Sequence, residues 1–423
     1  MMTENHNLPK HWKKIKLGAI CKFVRGPFGG SLKKENFKTD GFAIYEQQHA
    51  IYNQFSNIRY FIEESKFNEM SRFELKSGDL IMSCSGTMGK VAIVPKNIKK
   101  GIINQALLKL SPSQNVSNTF LKIWMQSGNF QDSLKSFSKG AAIQNVASVS
   151  VLKDMEILLP PLPEQLAIVS RIEELLSDLE NGKQQLIIAQ QQLKIYRQSL
   201  LKWAFEGKLT NKVVKDGELP KGWKWVTLSE VCHKIGDIDH KMPKQLPSGY
   251  PYVSTKDFTD NLKISFDNAK FISEEDYLSL GRKIKPERGD IIFPRYGTIG
   301  KNILIDFDKE FLVSYSCAVV KPNQKFVLSK YVYLYTLSPK ITEEIRKYTV
   351  ETTQANVGIA SIKSFIFPLP PLSEQQLIVD ELESKLTVCD KIEETISQSL
   401  LQAESLRQSI LKKAFEGKLV KHQ

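Results

Sequence analysis

From Ile168 the apolar positions fall at Ile168, Ile172, Leu175, Leu179, Leu186, Ala189, Leu193, Tyr196, Leu200 and Trp203, in steps of four and three interrupted only by Gly182. A 3.5-residue period held over five heptads predicts a long helix with a coiled-coil seam. A second, looser run has the same spacing: Ile378, Leu382, Leu386, Cys389, Ile392, Ile396, Leu400, Ala403, Leu406, Ile410 and Ala414. Each run comes after a Pro-Pro step, Pro160-Pro161 or Pro370-Pro371, and ends at Gly207 or Gly417, residues suited to a left-handed C-cap. Ser373 with Gln376 predicts a capping box at the second start. Roughly 40 residues at 1.5 Å each make rods of about 60 Å. The intervening segments read differently, with short β-rich runs over 78–94 and 289–305 between Gly, Pro, Asn and Ser turns, and helical patches over 118–130 and 329–346.

The two halves of the chain repeat one another. Leu159-Pro160-Pro161-Leu162-Pro163-Glu164-Gln165 recurs as Leu369-Pro370-Pro371-Leu372-Ser373-Glu374-Gln375, and Ala204-Phe205-Glu206-Gly207-Lys208-Leu209 recurs as Ala414-Phe415-Glu416-Gly417-Lys418-Leu419. Aligned without a gap, 159–209 and 369–419 share 22 of 51 residues, where unrelated sequences would share about three. The flanking segments match more weakly, at an offset of 211. Leu8-Pro9-Lys10-His11-Trp12 pairs with Leu219-Pro220-Lys221-Gly222-Trp223, and Cys21 with Cys232. Gly78-Asp79 and Gly86-Thr87-Met88-Gly89-Lys90 pair with Gly289-Asp290 and Gly297-Thr298-Ile299-Gly300-Lys301, and Asn145-Val146 with Asn356-Val357.

The order is therefore globular segment, helix, globular segment, helix, with boundaries at 1–158, 159–210, 211–368 and 369–423. The stretch after the first helix resembles the opening of the chain, so the repeat is circular. Two such halves close on themselves when the chain ends are neighbours in space. The expected fold is α+β: two mixed α/β domains separated by two long helices in an antiparallel coiled coil, with pseudo-twofold arrangement.

Composition narrows the function. The chain of 423 residues carries 59 Lys and Arg against 46 Asp and Glu, a net charge of +13. Residues 1–158 hold 22 basic and 12 acidic residues and 212–368 hold 24 and 19, so the excess lies in the globular segments and suits a polyanion. No apolar run reaches the length of a membrane helix, and the polar start lacks the form of a signal peptide. Five dispersed cysteines without a Cys-x-x-Cys pair indicate neither a disulfide framework nor a zinc cage. A cytoplasmic protein is expected.

Several catalytic patterns come close and fail. Gly86-Thr87-Met88-Gly89-Lys90 lacks the first glycine of a phosphate-binding loop, where Cys84 and, in the second copy, Arg295 stand, and it reads better as a glycine-built hairpin. Glu206-Gly207-Lys208 and Glu416-Gly417-Lys418 resemble half of a metal nuclease site yet sit at helix ends without an acidic partner. The six histidines are scattered, no Gly-x-Gly-x-x-Gly run occurs, and no Asp/Asn-Pro-Pro-aromatic motif of an amino-methyltransferase is present. No catalysis, cofactor or metal is expected in this chain.

Two divergent globular segments, each leading into a Pro-Leu-Pro-Pro-Leu-x-Glu-Gln block or its near match and a long helix ending in Ala-Phe-Glu-Gly-Lys-Leu, resemble the specificity subunit of type I restriction-modification systems. Further matches are the paired Gly-Asp and Gly-Thr-x-Gly blocks, and Gln144-Asn145-Val146 and Gln354-Ala355-Asn356-Val357 before the proline turns. The resemblance covers essentially the whole chain. It implies two target recognition domains reading the halves of a split duplex DNA sequence, with the helices as a spacer. It also implies two modification subunits using S-adenosylmethionine and two restriction subunits using ATP and magnesium. DNA-contact candidates by residue type are Arg25, Lys33, Lys34, Gln47, Gln48 and Lys90 in the first domain, and His240, Lys241, Lys244, Lys256, Arg295 and Lys301 in the second. Two other readings compete: a self-contained enzyme, which needs the missing motifs, and a coiled-coil scaffold that reads no DNA.

Overall fold

The computed structural model describes residues 9–136, 148–211, 213–215, 217–297, 299–348 and 356–420. Leu8, Thr298, the Gln144-Asn145-Val146 block and the Gln354-Ala355 pair lie outside them. The chain forms two compact units, the described parts of Met1–Leu186 with Gln398–Gln423 and of Ile187–Ser397. Each unit therefore contains one globular segment and a stretch of both long helices.

The first unit has nine strands: β1 (Lys13–Lys16), β2 (Cys21–Arg25), β3 (Phe42–Tyr45), β4 (Phe61–Ile62), β5 (Leu80–Ser83), β6 (Val91–Ile93), β7 (Gly101–Ile103), β8 (Leu107–Pro112) and β9 (Glu156–Leu159). They form a four-stranded antiparallel sheet in the order β2-β8-β5-β6, a three-stranded sheet β4-β3-β7 in which β3 and β7 run parallel, and a two-stranded antiparallel ribbon β1-β9. The second unit repeats this with β10 (Lys224–Thr227), β11 (Cys232–Gly236), β12 (Tyr250–Val253), β13 (Lys270–Ile272), β14 (Ile291–Pro294), β15 (Ile303–Leu304), β16 (Leu312–Val313), β17 (Cys317–Pro322) and β18 (Ile366–Leu369). Their orders are β11-β17-β14-β15, β13-β12-β16 and β10-β18. Strands β5 and β14 are buried on both faces, which is why they read as unbroken apolar runs rather than alternating ones.

The short repeated blocks brace this frame. Gly78 and Gly289 take φ of 86° and 91°, which glycine adopts without a Cβ clash. The carboxylate after each is a lock. Asp79 accepts from the Lys76 amide at 2.9 Å and from Ser111 Oγ at 2.5 Å, while Asp290 accepts from the Glu287 amide at 2.8 Å and from Lys321 Nζ at 2.5 Å. Each ties the approach to the central strand to its neighbour, β8 or β17. The Gly-Thr-x-Gly block is a hairpin loop joining β5 to β6. Ser83 Oγ accepts from the Lys90 amide at 3.0 Å and donates to the Thr87 carbonyl at 2.6 Å.

The long helices span Leu162–Phe205 and Leu372–Phe415, 44 residues each. Because the second begins at Leu372, Ser373 lies inside its first turn and does not cap it, and Gln376 donates to Asp380 instead. What fixes each start is the Glu-Gln pair. Gln165, fully buried, accepts from the Ser117 amide at 2.8 Å and donates to the Asn115 and Pro160 carbonyls at 3.1 and 2.8 Å. Gln375 repeats this with the Leu328 amide at 2.9 Å and the Phe326 and Pro370 carbonyls at 3.0 and 2.9 Å. The neighbouring carboxylates take indole N–H groups, Trp12 to Glu164 at 3.0 Å and Trp223 to Glu374 at 2.9 Å. Gln165→Leu leaves one amide and two carbonyls without their partner in the interior, so the first unit should lose about 2–3 kcal/mol of stability. Equal denaturation midpoints for variant and parent would refute this.

The seam keeps the expected register only in part. Ile168, Ile172, Leu193 and Leu200 are buried, but Gly182, Tyr196 and Trp203 face solvent. In the second helix Ile392 and Leu406 are exposed while Ile378, Leu382, Cys389, Ile396 and Ile410 are buried. A straight helix drifts about 20° per heptad from a strict 3.5 repeat, so one stripe cannot face inward throughout. At the end of each helix Leu201, Ala204 and Phe205, or Leu411, Ala414 and Phe415, take over the buried face.

Within the second unit the helical stretches run antiparallel. Arg197 meets Asp390 at 2.7 Å and Glu393 at 2.9 Å, and further along Thr210 reaches back to Glu374 at 3.1 Å. In the first unit Leu411 and Ala414 share a core with Ile168 and Ile172, and the Phe415 ring meets Phe120 edge-on with centroids 5.4 Å apart. The repeated helix ends have one role. Gly207 has φ of 76° and abuts Pro220 and Trp223, and Gly417 has φ of 70° and abuts Pro9 and Trp12. The C-terminal helix thus docks on the residues that open the described chain.

Candidate nucleic-acid interface

In each unit four loops leave the C-terminal ends of four strands, after β2, β3, β5 and β7 in the first and after β11, β12, β14 and β16 in the second. Backbone hydrogen bonds hold them together. The amides of Gly26, Cys84 and Asn104 donate to the carbonyls of Leu107, Ala106 and Tyr45, each at 2.9 Å. In the second unit the amides of Ser314 and Arg295 donate to the Val253 and Ser316 carbonyls at 2.8 Å. Gly26 is required there, because a Cβ would stand 1.9 Å from the Asn104 carbonyl oxygen.

This loop cluster gathers most of the sequence candidates. Arg25 ends β2, and its buried Nε has no hydrogen-bond partner among the described residues. Gln47 and Gln48 open the helix Gln47–Tyr52. The buried Oε1 of Gln47 is likewise unpartnered, and Gln48 donates to the Asn57 carbonyl at 3.4 Å. Lys90 is exposed at the end of the hairpin loop. Lys33 and Lys34 are exposed farther along the segment joining β2 to β3, with Lys33 3.7 Å from Glu35.

In the second unit His240 comes after β11, exposed and stacked on Tyr315 with centroids 4.7 Å apart. Beside it Lys241 stands 3.9 Å from Asp276. Lys244 is exposed between β11 and β12, Lys256 is exposed after β12, and Lys301 pairs with Asp260 at 3.0 Å.

Arg295 departs from the expectation of a surface contact. Its side chain is about 8 % exposed. Nη1 donates to Asp237 and Nε donates to the Val357 carbonyl at 3.0 Å. The first residue after a buried strand points inward here, and the guanidinium organises the loops instead of presenting a charge to solvent. Asp237 also accepts from Lys283 at 3.4 Å and lies 3.3 Å from His240 Nε2. Sequence reading missed Asp237 and Tyr315, whose partners lie 58 and 75 positions away, beyond any local spacing rule.

The first unit lacks this arrangement, since Cys84 occupies the position equivalent to Arg295 and Gly26 that of Asp237. Burial pushes the Cys84 thiol up to about 12, partly offset by Arg25, and burial does the same to Cys317. Neither thiol is a nucleophile at neutral pH. Among the described residues no group of three or more His, Cys, Asp or Glu is placed to hold a metal ion, and no helix is long and apolar enough to cross a membrane.

The profile of the type I restriction modification DNA specificity domain matches the chain twice, over residues 9–189 and 220–402. The chain belongs to this family. Each match spans one complete nine-strand set and the first part of the helix after it. Relatives in the family include the EcoBI specificity subunit of Escherichia coli, 24% identical over 75% of this chain and 69% of the relative. Another is the StySPI specificity subunit of Salmonella potsdam, 24% identical over 97% and 90%. The fold is that of the HsdS subunit from Thermoanaerobacter tengcongensis, with TM-score 0.65, 20% identity and coverage of 99% of this chain and 100% of that one. A chain from a study of assembly and conformational transition in the type I R-M system gives TM-score 0.71 at 20% identity, over 97% and 99%. The specificity-domain family thus accounts for both copies of the repeat.

Proposed function

We propose that this chain is the DNA-reading subunit of a type I restriction-modification complex and performs no chemistry itself. Segments 1–158 and 211–368 act as target recognition domains, each reading one half of a bipartite duplex sequence. Segments 159–210 and 369–423 set the number of base pairs between the halves. One observation carries the reading: the same frame, braced by the same Gly-Asp and Glu-Gln blocks, supports loop clusters that differ between the units. Phosphate contacts position such loops and base contacts specify. Arg25, Lys33, Lys34, Gln47, Gln48, Lys90, His240, Lys241, Lys244, Lys256 and Lys301 are the proposed contacts, with Arg295 shaping the second cluster.

The proposed partners are two modification subunits carrying S-adenosylmethionine and two restriction subunits using ATP and magnesium, in the cytoplasm. The test is co-expression with a modification subunit in a methylation-free host, with single-molecule mapping of methyladenine as the readout. Methylation at one split, asymmetric motif, lost when this chain is omitted, is the expected result. An assembled, active complex with no motif would favour a scaffold instead.

A further inference from the structure

A polar cleft of about 390 Å³ opens in the first unit beside the β5-β6 hairpin. Three cations from three elements line it: Lys90 from the hairpin loop, Lys122 from the helix Asn118–Gln126, and Arg407 from the second long helix. The amides of Gln126 and Gln408 face the same space, and Glu404 is its one carboxylate. Among the described residues, no salt bridge involves Lys90, Lys122 or Arg407. Lys122 is half-buried, and burial draws its pKa down, with Glu173 offsetting part of the effect. Unpaired, partly desolvated charge is costly unless something supplies the counter-charge.

The second unit shows what neutralisation of this site looks like. The counterpart of Lys90, Lys301, is paired with Asp260 at 3.0 Å. That of Lys122 is Tyr333. That of Arg407 is Arg197, clamped by Asp390 at 2.7 Å and Glu393 at 2.9 Å. In the first helix the positions matching those two acids are Glu180 and Lys183, and Lys183 and Gln184 themselves hold Glu180 at 3.4 and 3.2 Å. The missing negative charge is thus particular to the first unit.

We propose that the cleft between Lys90, Lys122 and Arg407 binds a backbone phosphate of duplex DNA, a contact that the second unit does not make. The inference rests on the DNA-reading function proposed above. Lys90 links the two, because its hairpin loop belongs to the proposed reading cluster, and a strand lying along that cluster brings its phosphates to the cleft. A phosphate contact here is independent of sequence. It anchors the first half-site to the long helix and makes the grip on the two half-sites unequal.

The test uses the full chain assembled with its modification subunit and a duplex carrying the mapped target, with binding titrated from 50 to 300 mM salt. The double variant Lys122→Gln/Arg407→Gln is expected to bind roughly tenfold more weakly. Its log-log salt slope should be shallower by about two, at about 0.9 per lost phosphate contact. The methylated motif should be unchanged, and Lys122→Arg should retain the parent slope. An unchanged slope overturns the proposal, and so does a changed motif, which would make these residues base readers. A third overturning result is an unchanged slope combined with loss, in the variant, of thermal stabilisation by inorganic phosphate alone, which would mark a small-anion site. Thermal unfolding checks the fold, and if Lys122→Gln unfolds, Arg407→Gln alone decides through the slope. If the parent complex shows no preference for its target over random duplex, the DNA-reading function fails, while the slope on random duplex still decides the cleft.

Discussion

Asp237→Ala is expected to destabilise the unit formed by Ile187–Ser397 by about 3–5 kcal/mol, the cost of leaving one member of a buried ion pair behind. Arg295 has no other carboxylate to turn to. Its remaining contacts are the Val357 carbonyl at 3.0 Å and the Tyr315 carbonyl at 3.4 Å, and these satisfy donors without cancelling the charge. Hydrogen exchange in β11, β14 and β17 should accelerate, while the first unit keeps its protection. The double variant Asp237→Leu/Arg295→Met removes both charges and should recover most of the stability, since apolar replacement of a whole buried pair is often neutral or better. It should not recover reading of the second half-site, because the pair also holds the loop after β11 against the Tyr315 segment, where His240 stacks. A single variant with parental stability would show that the guanidinium is solvated or otherwise paired. A double variant methylating the parental motif at full rate would show that the pair has no part in shaping the loops.

Deleting one heptad from each long helix, at the repeat-equivalent stretches 185–191 and 395–401, is expected to shorten the gap in the recognised sequence while leaving both half-sites unchanged. Seven residues remove about 10 Å of rise, or about three base pairs at 3.4 Å each. A whole heptad is chosen because it returns the helix face to within about 20° of its starting azimuth. The seam residues Leu193 and Leu200, and Ile378 and Leu382, then keep their buried sides. A four-residue deletion preserves the face less well and should cost more stability per residue removed. Methylation mapping reads the outcome directly. A shortened chain that folds, assembles and methylates at the original spacing would remove the helices from any role in measuring distance.

The features legible in the sequence were local or repeated. The two helices, their glycine ends, the hairpin at Gly86 and Gly89, and the docking of the chain's end on its start are all consequences of spacing and of the circular duplication. The interior of each unit was less readable, for physical reasons. Its strands are two to six residues long, too short for periodicity to separate a buried strand from a turn, so the partition into two sheets and a ribbon was invisible. Gln165 and Gln375 were conspicuous as repeated residues, yet nothing in a glutamine announces that it is fully buried and bonded to a loop about fifty positions earlier. Arg295 looked like any loop arginine, because its inward direction depends on Asp237 across the sheet. Lys122 and Arg407 were passed over for a related reason. They lie on helices 285 positions apart, and only folding places them in one cleft.

The ribbons β1-β9 and β10-β18 carry a consequence for inheritance. The chain enters and leaves each nine-strand set through two adjacent antiparallel strands, with Lys13 opposite Leu159 and Lys224 opposite Leu369. Everything between is hung on a two-stranded stem, and its ends are held about 5 Å apart whatever it contains. An exchange of genetic material that respects the stem can replace a whole reading head in one event without disturbing the helices beyond it. A lineage can thus acquire a new DNA address by trading cassettes rather than by remodelling loops residue by residue.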